Sequence, residues 1–259
     1  MTEPLVHYES RPPAVLLTLD RPGKRNALSR ELIAALTVAV ERARDDTAAR
    51  CVLLTGSGPA FCAGMDLAEL SATIDADQAT IWNDAVNYGR LLELIYMMPK
   101  PTIAVVNGAA VAGGAGLVSI CDLAVAVPEA KFGYPEVRRG LVAAMVMPHL
   151  LRHVGERIAR WLLLTGELID AATAERAGLI NAVVSKDELL PTAEQWVRSL
   201  AEGGPKALAA TKELLRTFSS QALSVEETAK ASAAPRLGDE CRGGLRAFFE
   251  KRPAPWAKL

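Results

Sequence analysis

Two runs of small residues stand where a loop enters a helical pattern: Phe61-Cys62-Ala63-Gly64-Met65-Asp66-Leu67, and Ala112-Gly113-Gly114-Ala115-Gly116. Residues without bulk let a ligand approach the backbone closely, and the amides of a helix N-terminus have no intrahelical acceptor and face the positive end of the helix dipole. Two such amides aimed at one point would form an oxyanion hole. Downstream, Phe132-Gly133-Tyr134-Pro135-Glu136 is a turn that presents a carboxylate in mostly apolar surroundings. Desolvation there would raise its pKa toward a working value for a base. Taken alone, the same residues also suit tight turns and a surface glutamate.

Other motifs fall short of the chemistry they suggest. His149-Leu150-Leu151-Arg152-His153 places two imidazoles at i and i+4, as in a helical zinc site, but the base glutamate and a third ligand are missing. Solvated helix histidines are expected, and no metal. Gly114-Ala115-Gly116 is followed by Ser119 where a dinucleotide fingerprint needs its third glycine. A serine nucleophile has no G-x-S-x-G elbow, and the three histidines (His7, His149, His153) offer few bases for a triad. Cys51, Cys62, Cys121 and Cys241 include no C-x-x-C pair, so reduced, buried thiols are expected. Cys62 reads as a small packed thiol and Asp66 as a helix cap.

The elements that must position these residues alternate. Ala14–Leu19 reads as a strand stopped by Asp20-Arg21-Pro22-Gly23, and Ser29 caps a helix reaching about Arg44 through Leu32, Leu36, Ala39, Val40 and Ala43. Cys51–Thr55 is a buried strand. Asp77–Met98 is a long helix ended by Pro99 and Pro101, on which Trp82 and Tyr88 could line a pocket or face the core. Strands at Thr102–Val106 and Leu123–Val127 flank a helical stretch at Leu117–Cys121. The last third, from Glu156 to Leu164, Ala171 to Ala177, Glu188 to Leu200, Pro205 to Phe218 and Val225 onward, is helical. The fold class is α/β, with residues 1–200 as the core and 201–259 as a C-terminal helical segment. That segment carries Leu208, Leu214, Leu215, Phe218, Leu223 and Val225, more apolar surface than an appendage leaves in water.

Composition narrows the function classes. The 259 residues are 50% hydrophobic and 23% charged, with 29 basic and 30 acidic side chains, a formal charge of -1. Disorder is excluded, and no global field or basic stripe recruits nucleic acid. No apolar run is long enough to span a bilayer, and the N-terminus lacks a basic-then-apolar leader, so a cytoplasmic enzyme of small molecules is expected, without membrane or nucleic-acid partners.

The chain resembles the crotonase superfamily, the enoyl-CoA hydratase/isomerase family. The match runs through Leu19-Asp20-Arg21-Pro22, Arg25-Asn26-Ala27-Leu28, Ala60 to Leu67, Asn107-Gly108 through Gly113-Gly114, Cys121-Asp122, Lys131-Phe132-Gly133 with Pro135-Glu136, and Phe248 to Pro253. The resemblance implies a spiral of repeated β-β-α units followed by a helical trimerisation segment, assembled as a homotrimer or a dimer of trimers. It implies an acyl-CoA substrate, with coenzyme A as part of the thioester and no separate cofactor. The thioester oxygen would sit between the N–H groups of Ala63 and Gly113, with Glu136 as acid and base. Coenzyme A would bind along Arg25, Ala27, Met65 and Leu67, with Phe248 and Lys251 arriving from the end of the chain.

The sequence departs from the family pattern at one point. Hydratases of the family use two glutamates, and Gly116 stands where the first belongs, while Glu136 keeps the second. One carboxylate can take a proton from one carbon and return it two carbons away, as an isomerase does, yet the residues after Glu136 look like hydratase relatives for branched or acidic acyl groups. Both reactions are therefore carried forward, beside the alternative of a non-catalytic crotonase-fold binding or scaffold subunit.

Overall fold

The computed structural model describes residues 4–72, 77–220, 239, 240, 243, 247 and 250–256. The chain opens with an antiparallel hairpin, β1 (Val6–Arg11) and β2 (Ala14–Leu19), followed by helix α1 (Arg30–Asp45). Ser29 caps α1, its hydroxyl accepting from the Leu32 N–H at 3.1 Å, and Leu32, Leu36, Ala39, Val40 and Ala43 form its buried stripe as the spacing requires. Next come β3 (Cys51–Gly56), β4 (Ala60–Cys62), a short α2 (Leu67–Ala72) and the long α3 (Gln78–Tyr96), capped by Asp77. A second turn of the same kind follows: β5 (Thr102–Val106), β6 (Ala109–Val111) and α4 (Gly113–Ser119). A third consists of β7 (Leu123–Ala126), β8 (Lys131–Gly133), a 3-10 turn at Pro135–Arg139 and α5 (Met147–Thr165). The chain continues through β9 (Leu168–Asp170), α6 (Ala171–Arg176), β10 (Ala182–Val183), α7 (Lys186–Glu202) and α8 (Pro205–Ser220).

In each turn the first strand joins one sheet and the second joins another. The larger sheet has the order β1-β2-β3-β5-β7-β10 and is parallel beyond the first hairpin. The smaller has the order β4-β6-β8-β9, with the first three parallel and β9 antiparallel. This is a β-β-α spiral, and it explains the continuous apolar runs of β3 and β5: strands covered on both faces have no reason to alternate. Phe61, Ile103, Val106, Leu117 and Phe132 fill the space between the layers.

Several boundaries differ from the sequence reading for local reasons. α4 starts at Gly113, inside the glycine run, because packing rather than propensity holds its first turn. α5 begins at Met147, before the expected Glu156, and bends at Gly155, whose φ of 68° interrupts the helical backbone. The short strands of the smaller sheet carry too few residues for a period to be read. Leu215 and Phe218 of α8 are exposed, whereas Leu223 and Val225 lie outside the described residues. Among the described residues, no helix is long and apolar enough to cross a membrane.

Candidate active site

The loop after β2 packs against the first small-residue run. Arg25 and Asn26 both have positive φ, a conformation asparagine tolerates better than most side chains. Asn26 is fully buried, and its Nδ2 lies 2.9 Å from the carbonyls of Ser57 and Ala60 and 3.1 Å from that of Phe61. Its Oδ1 accepts from the Arg21 N–H at 2.8 Å. One amide thus fastens this loop to β4.

From there residues 25–28 run beside residues 63–66. The Ala63 N–H donates to Arg25 O at 3.0 Å, the Leu28 N–H to Gly64 O at 2.8 Å, and the Asp66 N–H to Leu28 O at 3.0 Å. This corrects the expected donor. The Ala63 amide is committed to the Arg25 carbonyl and is not available to a ligand. The same short ladder, bridged at Leu28 and Met65, leaves the Met65 N–H without a partner among the described residues. Gly64, with φ of 87°, makes the turn between them, and a Cβ there would come within 2.7 Å of Val111 O and 3.1 Å of Gly113 N. The two small-residue runs touch at this glycine. Asp66 caps α2, accepting from the Ala68 N–H at 2.9 Å, and pairs with Arg21 at 2.6 Å, which holds its carboxyl below the usual range. Cys62 is fully buried, donates to Asn26 O, and is pushed up to about 12 by burial, so it remains a packed thiol.

The second arm is the start of α4. Ala112 before it has φ of 52° and ψ of −123°, a conformation L residues rarely adopt, and its N–H donates to Gly133 O at 2.8 Å. Gly113 is the first residue of the helix, and its N–H has no acceptor among the described residues. A Cβ on Gly114 would stand 2.1 Å from Cys62 O, so only glycine lets α4 lie this close to the end of β4.

Glu136 faces both arms. It belongs to the 3-10 turn after β8, and its Oε2 is buried with no hydrogen-bond partner among the described residues. Burial raises its pKa above the ordinary carboxylate value, against a backbone hydrogen bond and the nearby Arg139 charge, which pull it down. It lines two adjoining cavities. One, of about 110 Å³, includes Ala63, Met65, Leu67, Gly113 and Arg139 in its wall. The other, of about 190 Å³, is apolar and includes Met65, Tyr88, Gly113, Ala144, Met145 and Val146. Met65, Gly113 and Glu136 belong to both walls, so the residues that carry the two unpartnered amides and the unpartnered Oε2 meet at the junction of the two cavities.

Gly116 does not reach either cavity. A Cβ on it would lie 2.2 Å from Val146 Cγ1 and 3.0 Å from Tyr88 Oη, so the volume of a side chain there is already filled. Of the pocket candidates, Tyr88 lines the apolar cavity and is 2% exposed, whereas Trp82 is 68% exposed. Arg25 and Lys251 are exposed, Ala27 is half-buried, and Phe248 lies outside the described residues. The expectation of solvated histidines is corrected at one of the two: His149 is half-buried, packing edge-on against Tyr96 with its pKa lowered to about 4, chiefly by burial, whereas His153 is exposed, its Nε2 donating to Ser119 O at 2.8 Å. No group of residues suited to a metal ion occurs among the described residues. Sequence reasoning missed the Met65 amide and Val146, since neither which amide a ladder consumes nor what covers a glycine has a sequence signal.

The α/β scaffold is thus a β-β-α spiral in which Met65 and Gly113, whose N–H groups have no acceptor among the described residues, and the half-buried Glu136 line the same two cavities. The profile of the enoyl-CoA hydratase/isomerase family matches residues 13–258, and the chain belongs to that family, within the crotonase superfamily. A Thermus thermophilus protein that bears an enoyl-CoA hydratase name is 42% identical over 237 residues, 91% of this chain and 94% of its own length. The mevalonyl-coenzyme A hydratase sidH of Aspergillus fumigatus is 36% identical, over 95% of this chain and 92% of its own. Among solved structures, an enoyl-CoA hydratase of Shewanella pealeana superposes with a TM-score of 0.93 at 30% identity, covering 97% of this chain and 96% of that one.

Proposed function

We propose that this chain acts on acyl-CoA thioesters by forming a thioester enolate, with the N–H groups of Met65 and Gly113 receiving the oxygen and Glu136 moving the proton. The observation that carries this reading is the buried, unpartnered Glu136 Oε2 at the junction of the two cavities that Met65 and Gly113 also line. Burial makes this carboxylate a stronger base than a solvated one in spite of its backbone hydrogen bond and the Arg139 charge, and fixed amides stabilise charge that develops only as the proton leaves.

A 1,3-proton shift suits this arrangement best. Glu136 would take a proton from C2 of a 3-enoyl-CoA, the electron pair would spread onto the thioester oxygen, and the same carboxyl would return the proton at C4. The double bond then lies between C2 and C3, and no second carboxylate is needed. Hydration of a 2-enoyl-CoA is the second reading, favoured by the hydratase names of the relatives. The apolar cavity would take the acyl group. Coenzyme A would follow Arg25, Ala27, Met65 and Leu67 to Lys251, with the exposed Leu215 and Phe218 of α8 covered in a homo-oligomer.

Incubation of the purified chain with 3-enoyl-CoA and 2-enoyl-CoA in heavy water, with products identified by mass, tests both reactions. The shifted enoyl-CoA carrying deuterium should form faster than any hydroxyacyl-CoA, and the reverse order selects hydration. Glu136→Gln should lose at least a hundredfold in turnover while still binding acyl-CoA, because the amide keeps the shape and cannot accept the proton. A variant retaining more than about a tenth of parental kcat removes Glu136 from this role, and a parent without turnover on either substrate leaves a binding subunit.

A further inference from the structure

Tyr88 brings a hydroxyl into the site that the proton transfer does not use. It projects from α3, and its hydroxyl donates to Gly113 O at 2.7 Å. A Cβ placed on Gly113 or on Gly116 would each lie 3.0 Å from this oxygen. The hydroxyl therefore rests against the first turn of α4, between Gly113, which lines the cavities and whose N–H has no acceptor among the described residues, and Gly116. Burial raises the phenol pKa well above its ordinary value, so the group stays a donor.

This turn needs an anchor from outside. α4 has seven residues, of which Gly113, Gly114 and Gly116 are glycine. A helix this short is marginal by itself, and each glycine is about 1 kcal/mol less favourable than alanine. The turn is gripped on two sides. Ala112, with its positive φ, fixes the peptide that carries the Gly113 N–H, and Tyr88 fixes the Gly113 carbonyl. Between these points Gly113 has no Cβ to restrict rotation, and hydrogen bonds weaken steeply when misaligned.

We propose that Tyr88 is a positioning residue of the oxyanion hole: its hydroxyl, anchored on Gly113 O, sets the direction of the Gly113 N–H toward the thioester oxygen. The inference rests on the reading of Gly113 as a donor and is independent of whether the reaction is isomerisation or hydration, since both pass through the same oxyanion.

Tyr88→Phe keeps the ring and removes only the donor. The full-length parent, Tyr88→Phe and Glu136→Gln are compared in two measurements. One is exchange of the α-hydrogens of butyryl-CoA in heavy water, and the other is the infrared carbonyl stretch of bound, isotopically labelled butyryl-CoA. The parent should exchange and should lower the stretch relative to free thioester. Tyr88→Phe should exchange about tenfold more slowly in kcat, with KM within about twofold and a stretch shifted back toward the free value, since a displaced donor loses part of the 10²–10³-fold of a deleted one. Glu136→Gln should lose exchange yet keep the lowered stretch. Parental exchange and stretch in Tyr88→Phe overturn the proposal. So does slowed exchange with an unchanged stretch, or a variant that no longer folds, because each assigns Tyr88 to packing alone. A parent that neither exchanges nor lowers the stretch removes the oxyanion reading itself.

Discussion

Gly116→Ala measures how completely the space beside α4 is filled. The residue lies within the helix and its φ is not positive, so alanine would by itself gain about 1 kcal/mol in helix propensity. Its new methyl, however, would stand 2.2 Å from Val146 Cγ1, 3.1 Å from Val146 Cβ and 3.0 Å from Tyr88 Oη. Carbon atoms pack at roughly 3.5–4.0 Å, so the insertion belongs at the upper end of overpacking costs, about 3 kcal/mol. The expected net loss is about 2 kcal/mol. Val146→Ala, at a site 3% exposed, should alone cost about 2 kcal/mol through lost burial and the cavity left behind. Together the methyl gained fills the space vacated, so the double variant should be more stable than the sum of the singles by about 2 kcal/mol. Urea unfolding of the parent, both singles and the double, at one protein concentration, gives the coupling. Additivity within about 0.5 kcal/mol would refute the argument that Val146 occupies this volume. The same geometry means that Gly116→Glu, made alone, has no room to add a working carboxylate.

Three further outcomes follow from the site. Glu136 binds its proton more tightly in the folded than in the unfolded chain, so folding loses stability as pH rises from the ordinary carboxylate pKa toward the raised one. Glu136→Gln should therefore be more stable than the parent at pH 8, with the difference vanishing below about pH 4, and equal pH profiles in thermal unfolding would contradict the burial of this carboxyl. Asn26→Ala takes their Asn26 partner from the Arg21 N–H and from the carbonyls of Ser57, Ala60 and Phe61 and puts alanine at φ of 54°, so urea unfolding should show a loss of about 3 kcal/mol, and a loss below about 1 kcal/mol would deny Asn26 its fastening role. Cys62, with its pKa pushed up to about 12 and no exposure, should resist iodoacetamide at pH 8 in the folded chain and react once unfolded; peptide mass mapping of folded protein that finds it alkylated would refute its burial.

What the sequence by itself determined is carried by patterns that close over a few residues. The stripe of α1 and its Ser29 cap, the apolar runs of β2, β3 and β5, and the glycine that ends α6 follow from local periodicity and turn chemistry. The small-residue runs and Glu136 were legible because lack of bulk at a loop-to-helix junction and a carboxylate among apolar neighbours are properties of residue type and order. Tertiary structure alone decided which amide is free. Ala63 and Met65 are two residues apart and equivalent as sequence, but pairing with the loop after β2 consumes one N–H and spares the other. It also decided what stands beside Gly116, since Tyr88 of α3 and Val146 just before α5 arrive from 28 and 30 positions away in opposite directions (116 − 88 and 146 − 116). Such choices depend on distances between segments that the spiral brings together, and residue order along the chain does not encode them separately from the fold.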